Sequence, residues 1–201
     1  MNHPQRRTVV RVLSVVTALG LVSGLAACSA TGSTAPSSSV DPNAAEVNPA
    51  GDIPDNQVFV VWTDPSSTFT VKVPEGWASS TDNGAVTFTD KLNSIRIESA
   101  QTATAPTADS VRGEVASLGQ SASGFQAGDV STVTRTAGDA VLATYQVDSA
   151  PDSVTGKVVP DAVERYEFYR NGTLVTLTLS GPVGADNVDP WRIVTDSFTW
   201  L

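Results

Sequence analysis

Chemistry-bearing side chains are scarce in this chain of 201 residues, and where they stand limits what it can catalyse. There is one histidine, His3, and one cysteine, Cys28, both near the N-terminus. Ser-His-Asp and Cys-His nucleophilic machinery needs an imidazole as base, and the usual zinc sites need several His or Cys ligands. The body of the chain, which has neither residue, excludes all three. The three lysines, Lys72, Lys91 and Lys157, have no serine three positions before them, which argues against a lysine-assisted serine hydrolase. Carboxylates remain as acid–base groups, but Glu164 and Glu167 are three apart on an expected strand. They therefore point to opposite faces and cannot pair. Asp186, Asn187 and Asp189 lack the Asp-x-Asn-x-Asp-Gly spacing of a calcium loop and read instead as helix-capping residues. No metal and no cofactor is expected.

Cys28 has a different use. The chain opens with Arg6, Arg7 and Arg11 and no acidic residue, followed by a 16-residue apolar run from Val12 to Ala27. That run is shorter than the roughly 20 residues needed to span a bilayer core, so it reads as a cleaved signal sequence. Leu25-Ala26-Ala27-Cys28 resembles the lipobox of bacterial lipoproteins, in which the cysteine becomes the acylated N-terminus. The resemblance implies a diacylglyceryl group and a further chain such as palmitate on Cys28. One acyl chain gives only reversible attachment, whereas two give a stable one. The expected location is the extracytoplasmic face of the cell membrane, reached by general secretion or, given Arg6-Arg7, by twin-arginine export.

Residues 1–27 hold three of the 12 basic residues and none of the 21 acidic ones, so the processed chain carries 9 basic and 21 acidic residues, a net charge of −12. Nucleic acid and a polybasic hold on anionic lipid both need clustered Lys and Arg, so neither is an expected partner. Residues 28–57 are rich in Ser, Ala, Pro, Asp and Asn with no aromatic side chain. They read as the lipidated N-terminus and a disordered linker with a reach of about 30 Å. A folded domain is expected over residues 58–201.

Within that domain the period-two alternation of β-branched and aromatic residues predicts strands at 58–62, 69–73, 85–89, 95–99, 130–136 and 140–148. The 107–120 segment changes period, with Val111, Val115 and Leu118 on one face and Thr107 as N-cap, and reads as a helix. In ERYEFYRNGTLVTLTLS, residues 164–180, Asn171-Gly172 is the pair that a two-residue type I′ turn requires. Counting back from that turn places Phe168, Tyr166 and Glu164 opposite Val175, Leu177 and Leu179 on a core face. Arg165, Glu167, Tyr169, Thr176 and Thr178 then share the other face, which reads as a solvated sheet surface or as a candidate partner-binding or glycan-binding patch. Asp189-Pro190-Trp191 predicts the start of a second helix docked by Trp191, Val194 and Phe198. Trp77 and Trp191 read as core anchors. The expected class is α+β, a mostly antiparallel β-sheet with two main helices packed on it.

FTVKVPEGW at 69–77, the two-layer order and IVTDSFTWL at 193–201 are similar to the PsbP-like fold shared with Mog-type Ran-binding proteins, a PsbP-like sandwich. Within it the chain resembles the LpqN/LpqT-type lipoproteins of actinobacteria. That resemblance implies a membrane-anchored, non-enzymatic binding or accessory module in cell-envelope assembly or lipid handling, with an envelope protein or an amphiphilic lipid as partner. Two alternatives stay open: a carboxylate-dependent hydrolase of cell-wall glycans, which needs two acidic groups facing one cleft, and a structural surface antigen, which needs no concave pocket.

Overall fold

The computed structural model describes residues 50–152 and 154–201. The signal sequence, the lipobox with Cys28 and most of the linker lie outside the described residues.

Ten strands and two helices follow in the order β1 (Phe59–Thr63), β2 (Phe69–Pro74), β3 (Ala78–Asp82), β4 (Ala85–Asp90), β5 (Asn93–Gln101), α1 (Ala108–Leu118), β6 (Gln126–Arg135), β7 (Gly138–Asp148), β8 (Pro160–Arg170), β9 (Thr173–Pro182), α2 (Val188–Ser197) and β10 (Thr199–Trp200). Seven strands form one sheet in the order β3-β4-β5-β9-β8-β7-β6, and β1, β2 and β10 form a second. Every pairing is antiparallel. The architecture is the expected α+β one.

The larger sheet has two differently covered faces. On one, Phe88, Ile95, Ile97, Tyr166, Phe168, Val175, Leu177 and Leu179 pack against Phe69, Val71 and Val73 of β2 and against Trp191, Val194 and Phe198. Phe198 stacks on Phe168 with centroids 4.3 Å apart and lies 5.2 Å from Phe69, so one ring joins both sheets at the end of α2. On the other face Val111 and Val115 of α1 cover Val141 and Ala143, with Phe125, Val130 and Tyr145 alongside.

The β8–β9 hairpin has the register counted from Asn171-Gly172, with Arg170 opposite Thr173 and Glu164 opposite Leu179. Both turn residues take positive φ, 50° and 86°, which is why Asn and Gly stand there. A second hairpin of the same kind joins β3 to β4 through Asn83-Gly84, with φ of 50° and 84°. The pattern predicted no strand at β3, because Ala78–Asp82 is exposed at every position and shows no apolar alternation.

Three other expectations need correction. The domain begins before residue 58: Ile53 is buried in the core, and its N–H donates to Asn187 Oδ1 at 2.9 Å. Leu118 is exposed, so α1 docks by two valines rather than by three apolar residues. Pro190 is the third residue of α2 rather than its first, and Asn187 is the N-cap, but its side chain does not cap the helix. It ties down the strap at Gly51–Ile53 instead, donating from Nδ2 to Gly51 O and to Asn93 Oδ1, both at 3.0 Å. Asn93 Nδ2 donates to the same Gly51 oxygen at 2.8 Å. A Cβ on Gly181 would come within 2.4 Å of Asn93 Oδ1, so only glycine lets the two amides meet over β9.

Candidate functional site

The polar face of the β8–β9 hairpin is not a solvated surface. Glu167 and Thr176 are buried, and Arg165, Tyr169 and Thr178 are half-buried. Arg165 donates to Glu167 Oε1 at 2.7 Å and to Glu114 Oε2, on α1, at 3.3 Å. The helix therefore lies over this part of the sheet and encloses an ion pair there. Burial pushes the Glu167 carboxyl up, the Arg165 guanidinium holds it down, and the approach of Glu114 adds to the upward push. Glu167 Oε2 is buried without a hydrogen-bond partner. Tyr169 donates to Thr102 O at 3.3 Å, which leaves its hydroxyl engaged internally. The register places the five residues on one face, and Glu114 of α1 reaches over to Arg165 at its edge.

A cleft opens on the opposite face, between the N-terminal half of α2 and the outer strands β6, β7 and β8. Its cavity measures about 350 Å³, within the range of small-molecule sites. Trp191, Val188, Ala185 and Ala162 give it apolar walls, while Thr144, Gln146, Gln126 and Glu164 supply polar groups. Among the described residues lining it, Glu164 alone carries a formal charge. Glu164 faces Leu179 of β9 on one side and Thr144 of β7 on the other, which places it at the cleft floor.

Behind Glu164 stands a relay of polar groups held by packing. Tyr166 Oη donates to Glu164 Oε2 at 2.7 Å, and Arg135 Nη2 donates to Tyr166 Oη at 2.9 Å. Arg135 Nε donates to Thr195 Oγ1 at 3.1 Å and lies 3.6 Å from Asp196 on α2. The guanidinium also lies 5.0 Å from the Tyr166 ring centroid. Burial, reinforced by the Glu164 carboxylate, pushes the Tyr166 hydroxyl up to about 12, so it stays a donor at physiological pH. The Glu164 side chain is thus fixed by a phenol rather than by a cation.

A second cavity of about 420 Å³ lies between the β4–β5 turn and the segment leading into β8. Ser94 and Ser180, 2.8 Å apart, form part of its floor, and Lys91, Lys157, Asp152 and Asp161 stand around it. Burial raises Asp161 to about 6. Asp152 moves down instead, because the Thr155 hydroxyl and the N–H groups of Thr155 and Val154 donate to it. Two carboxyl groups with opposed shifts therefore line one concavity.

Of the residues singled out in the sequence, Trp191 is a buried core anchor as expected, and Trp77 packs edge-on against it with centroids 6.4 Å apart. Cys28 lies outside the described residues. The hairpin count puts Glu164 on the core face, and the structure sets it in the lining of the cleft. Arg135 and Asp161 carry no sequence signal and Tyr166 reads only as a core-face residue; Arg135 meets Tyr166 and Thr195 from elements distant in sequence. Among the described residues no helix is long and apolar enough to cross a membrane, and no cluster of His, Cys, Asp and Glu could hold a metal ion.

No family model matches the chain, and no curated protein matches its sequence. Solved structures do. Cyanobacterial PsbP (CyanoP) from Synechocystis superposes with a TM-score of 0.54 at 16% identity, over 75% of this chain and 98% of that one. The Saccharomyces cerevisiae Ran-binding protein Mog1p gives 0.48 at 11% identity, over 71% and 95%. LpqN of Mycobacterium tuberculosis, described as involved in cell envelope biogenesis, gives 0.43 at 14% identity, over 73% and 92%. At these identities the likeness speaks for architecture alone, and on the CyanoP superposition the chain has a PsbP-like fold.

Proposed function

We propose that the protein is a lipid-anchored, extracytoplasmic binding module, held to the cell membrane through acylated Cys28, that takes an amphiphilic ligand into the cleft between α2 and the outer strands. It serves cell-envelope assembly or lipid handling without being an enzyme. The observation that carries this reading is the cleft itself: apolar walls, a few convergent polar groups and one charge, the composition typical of ligand sites. Support for the anchor comes from the N-terminal order of basic residues, apolar run, small residues and cysteine. A surface antigen with no ligand has no use for such a cleft. Native mass spectrometry of the protein purified from its own envelope tests the reading, with a co-purifying amphiphile expected and a bare chain counting against it. Cys28→Ala is expected to release the protein from membrane fractions or leave it unprocessed, and membrane partition like that of the unmodified chain would contradict the anchor.

A second reading, a carboxylate-dependent hydrolase of cell-wall glycans, draws on the other cavity. There Asp161, raised to about 6, is placed to donate a proton, and Asp152, held ionised, to accept one. This reading predicts release of reducing ends from cell-wall glycan and their loss in Asp161→Asn. Equal release by both proteins, or none, removes it.

A further inference from the structure

The cleft of the preceding proposal has one unmatched property. Glu164 is its only formal charge, and no Lys or Arg among the described residues lies within ion-pair distance of that carboxylate. Both neighbouring cations are committed elsewhere. Arg165, next in sequence, points through the opposite face to Glu167 and Glu114. Arg135, on the same face, is held by the Tyr166 oxygen, Thr195 and Asp196. Tyr166 occupies Glu164 Oε2, which leaves Oε1 without a protein donor among the described residues.

From this geometry we infer that the cleft is selective for a ligand with a protonated amine at its head and an apolar body, the ammonium meeting Glu164 Oε1 and the body lying along Trp191, Val188 and Ala162. The inference rests on the cleft being the ligand site. A half-buried carboxylate without a cation favours a ligand that brings one, since the attraction is stronger there than in open water. The amide oxygens of Gln126 and Gln146, in the same lining, accept the further N–H bonds that an ammonium offers. An anionic head would meet repulsion both from Glu164 and from a processed chain with a net charge of −12. An uncharged head would bury its hydrocarbon equally well but leave the carboxylate unmatched. The cavity, about 350 Å³, equals roughly a dozen water volumes and suits a single short chain with a small head.

Isothermal titration of residues 28–201 carrying Cys28→Ala, which retain every core contact described above, with decylammonium, decanol and decyl sulfate provides the test. Decylammonium is expected to bind at least tenfold tighter than decanol, and decyl sulfate weaker than either. Glu164→Gln keeps an acceptor for Tyr166 and is expected to abolish the preference, lowering decylammonium affinity at least tenfold so that amine and alcohol bind alike. Equal affinity for amine and alcohol, or a preference that survives Glu164→Gln, overturns the inference and leaves the cleft as a site for neutral amphiphiles. Failure of all three probes to bind overturns the cleft as a ligand site, and this inference with it.

Discussion

The two faces of the seven-stranded sheet use the same strands and are buried by different means. One is covered by the small sheet and α2 through interlocked aromatic and branched side chains, and its outer end stays open as the cleft. On the other, α1 covers the β6–β7 end, where two valines meet a small apolar patch and Glu114 reaches the Arg165–Glu167 pair, while Arg96 and Glu98 of β5 stay partly exposed. A face rich in apolar area can leave part of itself uncovered and still hold, because about 25 cal/mol accrues per Å² buried elsewhere. A face with little apolar area needs its charges paired, since a buried carboxylate without its cation is strongly unfavourable. The cleft lies at the open end of the well-packed face, where a ligand site is affordable in stability.

The largest expected effect breaks the first face. Phe198 is fully buried and in contact with rings of both sheets. Phe198→Ala is expected to destabilise the domain by about 4 kcal/mol, from lost burial and the cavity left behind, as read by urea denaturation. A loss below 1 kcal/mol would mean that this face is not the one that holds the fold.

The second effect falls on the other face. Arg165→Ala leaves Glu167 buried without its cation and is expected to cost about 3 kcal/mol at neutral pH. Because burial already pushes the Glu167 carboxyl upward, the group takes up a proton more readily in the variant. The loss therefore shrinks as pH falls. Joint replacement by Arg165→Met and Glu167→Leu is expected to recover most of the stability, and equal losses in the single and double variants would refute the pairing argument.

The smallest effect comes from Asp161, at the rim of the second cavity. Its folded value of about 6 lies above its ordinary one of 3.8, so the native state binds the proton more tightly than the unfolded chain. The stabilising contribution is full below about pH 4 and is lost as pH rises through about 6. Asp161→Asn has no such loss. Its stability is expected to gain on that of the unmodified protein between pH 4 and 7, by at most about 1 kcal/mol because solvent screens the half-exposed group, as read from melting curves at each pH. Parallel melting curves across that range would remove the burial argument.

How much of this could be read in the sequence depends on the range of the interactions concerned. Asn171-Gly172 sets the hairpin register because turn chemistry is local, and every pair from Arg170–Thr173 back to Glu164–Leu179 follows from it. Asn83-Gly84 carries the same signal, but its first strand is wholly exposed and gives no alternation to confirm it. Alternation shows which residues share a face and says nothing about what covers it. Thr176 and Glu167 read as solvent-facing for that reason, yet both are buried in the folded domain. The cleft was least legible, since Glu164, Tyr166, Arg135 and Thr195 converge from three elements separated in sequence. The strap at Gly51–Ile53 sits in a polar, Pro-containing stretch, and its hold comes from Asn93 and Asn187, far along the chain.

Amide chemical-shift mapping of residues 28–201 carrying Cys28→Ala, titrated with decylammonium, compares the two faces in one experiment. The account predicts shifts concentrated at Thr144–Gln146, Ala162–Glu164 and Ala185–Trp191, with Val111–Val115 unmoved. Shifts centred on α1, or spread evenly over both faces, would contradict it.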